Sequence, residues 1–321
     1  MDRILYSILK LACIYAGLVL ISGCQTTPQA DALRTAALLD VAKQKIIEGV
    51  PFYPQQEFYC GPTTLSEVFN YHGKMTEANE IAPKLFIPGK EGSLQLEMIS
   101  ATRQYGFLPY SQRGTIEQII RLVEEDIPVI VFQNLSIQLI PQWHYAVVIG
   151  YDLSQRQLTL HTGLTPNHTM SFELFEKTWA RANYWFLAPL PEGKTSDQLI
   201  PFTYISAAYN MLEVGDKSIA LNNLVAATNQ WPQQWLPYLL VANYYLEHDI
   251  NSAIEWYAKG WHVGQYQKEY ANNYAYALTE LHCKAKALEV LDNALKRFPE
   301  SPELLKTLET TNRLNNGVNC T

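Results

Sequence analysis

The chain is short of the residues that several function classes require. Its 24 lysines and arginines are outnumbered by 31 aspartates and glutamates. No basic stripe breaks that balance, so nothing is available to neutralise a phosphate backbone, and nucleic-acid binding is disfavoured. No GxxxxGK[ST] segment occurs, which argues against a nucleotide-driven exporter. The histidines and cysteines show no ligand-like spacing, so neither a metal nor another cofactor is expected. The apolar run near the N-terminus, Leu11 to Ile21, has eleven residues, short of the ~20 a membrane-spanning helix needs. Cysteine is scarce, with five in 321 residues.

What is present begins with that run. Arg3 and Lys10 precede it and small residues follow, the pattern of a secretory signal over residues 1–23. The ending Ile21-Ser22-Gly23-Cys24 resembles a bacterial lipobox, which implies cleavage before Cys24 and lipidation of that residue. More than one acyl chain gives a stable membrane anchor. Gln25, rather than Asp, at the next position implies by the same resemblance an outer-membrane location facing the periplasm. The mature chain then has 22 basic and 30 acidic side chains, a net charge of −8. Cys13 leaves with the signal and Cys24 carries lipid, leaving Cys60, Cys283 and Cys320. An odd number in an exported protein means at least one free or intermolecular thiol. Cys283 and Cys320 are candidates for a pair, two free thiols being the alternative.

With 48% hydrophobic residues, the mature chain is long enough for two packed units. Residues 24–45 read as a lipidated tether with a short helix. From 46 to 191, helices are expected at 61–73, 93–105 (with Ser93 as cap) and 115–125, followed by strands at 127–133, 144–152, 157–163 and 183–189. Helices leading and an antiparallel sheet trailing describe an α+β domain. Residues 192–201, "PEGKTSDQLIP" with Pro191, have the composition of a linker. From 202 to 300 the sequence is helical and self-similar: Ala220, Ala253 and Ala287 superpose with periods of 33 and 34 residues, and Ala227, Gly260 and Ala294 recur seven positions later. This all-α part is similar to tetratricopeptide repeats, whose stacked helix pairs present a protein-binding surface. Residues 301–321 are read as a fraying C-terminal helix or tail.

The chemistry centres on "QQEFYCGPTTLSEVFNYHG". Cys60 opens a helix that Pro62 favours at its first turn and Gly73 ends, with Leu65, Val68 and Phe69 as the apolar face. Free N–H groups and the backbone dipole at a helix start favour the thiolate, the nucleophilic form. Gln55 and Gln56, just upstream, are amide donors that could pair with the Cys60 N–H to hold an oxyanion. The base must come from elsewhere in the fold. Of His72, His144, His161, His168, His248, His262 and His282, the last three lie in the repeats and His72 lies too far along the Cys60 helix. His144 opens the strand "HYAVVIGYD" at a position suited to a cleft.

Four segments, "VPFYPQQEFYCGPTTLSEVFNYHG", "GSLQLEMISATRQYGF", "IPVIVFQN" and "HYAVVIGYD", resemble in order the C39-type cysteine peptidases. These papain-like enzymes are best known from leader-peptide processing in bacteriocin exporters. The chain also resembles a lipoprotein subgroup that joins such a domain to tetratricopeptide repeats. The resemblance implies Cys60 as nucleophile, His144 as general base and acid, and Gln55 as oxyanion donor, with Gln56 as the register-shifted alternative. In the third position, where the family has an Asp that orients the histidine, the matching stretch "LTLHTG" puts His161. A neutral imidazole there can accept a hydrogen bond but cannot stabilise an imidazolium as a carboxylate does. Asp152, at the far end of the His144 strand, lies ~26 Å away at ~3.3 Å per residue and cannot serve. The expected function is a lipid-anchored periplasmic cysteine peptidase whose repeats recruit a protein partner or substrate. A catalytically weak binding scaffold is the alternative.

Overall fold

The structure is a computed structural model of the full chain and describes residues 26–35, 38, 40–89 and 92–315. Cys24, Cys320 and the signal segment lie outside these residues. In chain order the elements are α1 (Pro28–Thr35), β1 (Gln44–Ile46), α2 (Cys60–Tyr71), α3 (Ala78–Leu85), α4 (Gln95–Gln104), β2 (Leu108–Arg113), α5 (Ile116–Glu124), β3 (Val129–Asn134), β4 (Trp143–Asp152), β5 (Gln157–Thr162), β6 (Thr165–Ser171), α6 (Phe172–Ala180) and β7 (Trp185–Leu190). Seven helices follow: α7 (Pro201–Val214), α8 (Lys217–Gln230), α9 (Trp235–Leu246), α10 (Ile250–Gly264), α11 (Lys268–Glu280), α12 (Lys284–Leu295) and α13 (Pro302–Asn312). No helix among the described residues is long and apolar enough to cross a membrane.

The strands form one antiparallel sheet in the order β2-β7-β3-β4-β5-β6, with β1 pairing the far end of β4. β3, β4 and β7 are rich in Val, Ile and aromatic residues and lie inside the sheet, where both faces are covered. One face packs Tyr145, Val147 and Ile149 of β4 against Leu65, Val68 and Phe69 of α2. The other packs Ala146 and Val148 against α5 and α6. The α+β expectation is therefore met. Five elements escape the sequence pattern: β1, α3, β2, β6 and α6. β2 and β6 end the main path of the sheet, and they contain Pro109 and Pro166, residues best tolerated on an edge strand. α3 carries an internal Pro83. The cap expected of Ser93 is not made: α4 starts one residue later, on Leu94, and the Ser93 hydroxyl has no partner.

The stretch 192–201 is not a loose linker. The Gly193 N–H donates to Asn223 Oδ1 (2.8 Å), the Ile200 N–H to the Tyr110 hydroxyl (2.9 Å), and Gln118 Nε2 to the Gln198 carbonyl (3.0 Å). Leu199 is buried, and one apolar cluster runs from the sheet through Tyr204, Ala208 and Met211 of α7 to Ala220, Leu224 and Ala227 of α8. α7 to α12 pack as three helical hairpins, with the small residues at the closest approaches. A Cβ on Gly260 would meet the Tyr270 hydroxyl at 2.4 Å and Tyr238 Cβ at 2.5 Å. Residues 302–312 form helix α13 instead of a frayed tail. Ser301 caps it, Pro302 sits in its first turn, and Leu304 is fully buried on the last hairpin.

Candidate active site

The N-terminus of α2 is built to leave its backbone donors free. Tyr59 supplies no side-chain cap, and the first turn has no acidic residue. The chain enters through Phe58 at φ 65°, a left-handed conformation rare for a bulky residue and often found at functional sites. Gly61 is required by contact: a Cβ there would lie 2.4 Å from Ser93 Oγ and 3.0 Å from Met98 Sδ. The loop before α4 thus closes directly on the turn that carries the thiol. Cys60 is half-buried against the α2 side of the sheet, and the Tyr145 hydroxyl donates to the Ser93 carbonyl nearby (3.2 Å).

Burial raises the Cys60 thiol above its ordinary value of 9.0, outweighing the N–H groups of Tyr145, Gly61 and Cys60 itself, which pull the other way. Burial also lowers His144 to about 4. No hydrogen bond joins the two. Burial thus favours the neutral form of each group, against the thiolate that a helix start alone favours.

His144 stands at the entry of β4, and its Nε2 is 2.8 Å from Thr162 Oγ1, a hydrogen bond across to the end of β5. Thr162, not His161, is therefore the hydrogen-bond partner of His144. His161 is committed elsewhere: its Nε2–H donates to the Val50 carbonyl (3.2 Å), and its Nδ1 accepts from the Asn167 N–H (3.3 Å). The ring is buried and lies edge-on to Phe52. With both nitrogens used, it cannot also serve His144. Neighbouring residues of a strand point to opposite faces, so the His161 ring and the Thr162 hydroxyl diverge from adjacent positions at the end of β5.

Gln55 and Gln56 differ sharply. The Gln55 N–H donates to the Gly163 carbonyl (3.0 Å), next to Thr162. Its side-chain Nε2 and Oε1 are both buried and unpartnered. Gln56 is exposed and lines a cavity of about 570 Å³ with Tyr59, Thr63, Asn70 and Glu77. That cavity and the β3–β4 loop border the site. The loop presents exposed Ile137, Leu139 and Ile140, and Trp143 stacks on Phe132 with ring centroids 5.0 Å apart. It is held in shape by Asn134 Oδ1, which accepts from the Ser136 and Gln142 N–H groups, and by Arg181, which donates to the Asn134 and Ser136 carbonyls.

His168 lies on edge strand β6, and His248 and His262 on the helical hairpins, away from Cys60. Among the described residues, no cluster of His, Cys, Asp or Glu is disposed to hold a metal. Cys283 is disulfide-bonded, and Cys60 is the free thiol among the described residues. Sequence reasoning missed Thr162, whose signal was its place directly before Gly163 at the strand end, and Glu67, a buried acid inside the apolar stretch of α2.

Residues 47–185 match the model of the Peptidase_C39 like family. Among solved structures, the chain is similar to a C39-like peptidase from Bacillus anthracis (18% identity, covering 49% of this chain and 100% of that one, TM-score 0.40). It is also similar to a double-glycine-motif protease from an AMS/PCAT transporter, solved in complex with its leader peptide (20%, covering 46% and 98%, TM-score 0.36). A third is the peptidase domain of Streptococcus ComA, a bifunctional ABC transporter of a quorum-sensing pathway (23%, covering 44% and 98%, TM-score 0.35). No curated protein matches.

Proposed function

We propose that the protein is a cysteine peptidase that cleaves peptide bonds through a Cys60 thioester. The observation that carries this reading is Gln55: a buried amide with neither atom bonded, tethered beside the Thr162–His144 pair. An unpartnered buried amide costs on the order of 1–3 kcal/mol, and an oxyanion that forms only during reaction would relieve that cost. In the mechanism, the Cys60 sulfur attacks the scissile carbonyl as its proton passes to His144 Nδ1, the nitrogen not engaged by Thr162. Gln55 Nε2 and the Cys60 N–H receive the oxyanion. Collapse of the intermediate breaks the C–N bond, and His144 returns the proton to the leaving amine. Water, deprotonated by His144, then attacks the thioester and releases the acid and the thiol. Because burial favours the neutral form of both groups, proton transfer accompanies attack and does not precede it.

The helical hairpins are read as tetratricopeptide-type repeats that recruit a protein partner or substrate. Cys24 is read as the lipid anchor of an outer-membrane protein facing the periplasm. A second reading, a binding scaffold with weak catalysis, is favoured by the hydroxyl of Thr162 standing where the family has a carboxylate. The test is to incubate the full chain with a peptide pool derived from a digested proteome and sequence the new termini by mass spectrometry. New termini are expected with the wild type and absent with Cys60→Ala and with His144→Ala. Termini that persist in Cys60→Ala, or none from the wild type, would overturn the peptidase reading.

A further inference from the structure

The segment that carries Gln55, residues 47–56, follows β1 through a turn at Glu48 and Gly49 and forms no strand of its own. Pro51 and Pro54 remove two of its N–H donors, so main-chain pairing alone cannot fix it. It is held at intervals instead. The Ile47 N–H donates to the Ile149 carbonyl (2.7 Å), and the Gln55 N–H to the Gly163 carbonyl (3.0 Å). Between these ends, both long-range contacts to the main chain come from buried ionisable side chains. His161 Nε2 donates to the Val50 carbonyl (3.2 Å), and Glu67 Oε1 accepts from the Tyr53 N–H (2.9 Å).

Glu67 is the less expected of the two. It is fully buried on α2, two turns from Cys60, and its second oxygen has no partner. Apolar residues fill the neighbouring positions, Leu65, Val68 and Phe69. A buried carboxyl with one hydrogen bond is a costly way to occupy such a position. An Ala or Leu would pack there but would leave the Tyr53 N–H unpaired and the segment free to move. Asn70, one turn further along α2, adds a second grip by donating from Nδ2 to the Tyr53 hydroxyl (2.9 Å).

We infer that Glu67 and His161 are positioning residues for Gln55: by gripping the main chain at Tyr53 and Val50, they set the approach of the Gln55 amide to the oxyanion that forms on a carbonyl attacked by Cys60. This rests on the oxyanion role given to Gln55 above. It assigns His161 to the donor's support and leaves Thr162 with His144.

The experiment uses p-nitrophenyl acetate as acyl donor and iodoacetamide as a thiol reagent that needs no oxyanion donor. Glu67→Leu and, as a second variant that keeps ring volume, His161→Phe are each expected to lower kcat about tenfold to a hundredfold, less than the ~10²–10³-fold cost of removing an oxyanion donor outright. KM and the iodoacetamide rate should stay within about twofold, because the lost interaction exists only in the transition state. Glu67→Gln keeps an acceptor at the same reach and should restore most of kcat. In a Gln55→Ala background, the same substitutions should cost less than about twofold, since residues acting through one group are not additive. Equal losses with and without Gln55, or a parallel loss of iodoacetamide reactivity, would overturn the positioning role and leave the peptidase reading intact. Ester turnover in the wild type that does not depend on Cys60 would overturn both.

Discussion

The two halves of the molecule treat their buried polar groups differently. Among the described residues, the buried side-chain polar atoms without a partner belong to Gln55, Glu67, His72, Ser93, Glu97 and Gln112, with Asn223 alone in the helical half. Most of them surround α2 and the thiol. In the hairpins, by contrast, the large polar side chains are answered. The Tyr257 hydroxyl donates to Asn243 Oδ1 and that of Tyr270 to the Tyr257 carbonyl, while Gly260 and Gly264 let the helices close on Tyr270. Unanswered groups cost stability, so their concentration around Cys60 marks where packing yields to reactivity. The hairpins show what the same chain does when only packing is at stake.

Four measurements would break or sharpen this contrast. The largest expected effect is on Cys60 itself. With the thiol raised by burial and His144 lowered to about 4, alkylation by iodoacetamide should rise about tenfold per pH unit from pH 6 to 9, following the thiolate fraction. A plateau at neutral pH would reveal a preformed ion pair and remove the contrast at its centre.

Next is Thr162→Asp, which sets a carboxylate against His144 Nε2. An opposite charge at that distance should raise the His144 pKa by about 1–3 pH units, read by NMR titration. Ester turnover should rise about tenfold, because a base whose pKa lies nearer the operating pH is more effective, and Thr162→Val should move both quantities the other way.

In the hairpins, Gly260→Val meets Tyr270 and Tyr238. Overpacking of this kind costs about 1–3 kcal/mol, lowering Tm by about 3–10 °C for a chain of this size. The iodoacetamide rate of Cys60 should not change. A chemical effect with no thermal one would mean the hairpins are no better packed than the site.

The last measurement concerns Glu67. Its carboxyl is raised to about 8 from an ordinary 4.5, mainly by burial. Between those values the folded state keeps a proton that the unfolded state has lost, so stability falls as pH rises through that window. Glu67→Gln has no such titration. Its Tm relative to the wild type should therefore climb between pH 5 and pH 8, as followed by circular dichroism. A difference that stays flat with pH would show that Glu67 is ionised when folded.

How much of this could be read from residue order depends on the kind of constraint. Apolar strands such as "HYAVVIGYD" and the helix behind Cys60 are legible because burial imposes a period. The edge strands β2 and β6 are polar and interrupted by Pro109 and Pro166, so their pairing shows only in three dimensions. The 33- and 34-residue spacing of small residues marks close helix contacts, and all six of those positions are buried. The linker misled because Gly, Lys, Ser and Asp also suit a segment docked through its main chain. At the site, the roles proposed for Cys60, His144 and Gln55 rest on motif and resemblance. The residue facing His144 does not, because His161 and Thr162 are adjacent on opposite faces of β5 and composition does not say which face turns to His144. Glu67 was hidden by the reverse problem: an acid in an apolar helix reads as a solvent-facing position until its partner, a backbone N–H from another segment, is known.

The docked stretch from Gly193 to Ile200 leaves no hinge between the thiol and the hairpins. If a polypeptide is gripped by the hairpins, the distance from grip to Cys60 is a property of the fold, not of a swinging arm. The molecule then works as a calliper: the bond presented for cleavage is chosen by its distance along the substrate, and side-chain identity at the cut becomes the lesser constraint.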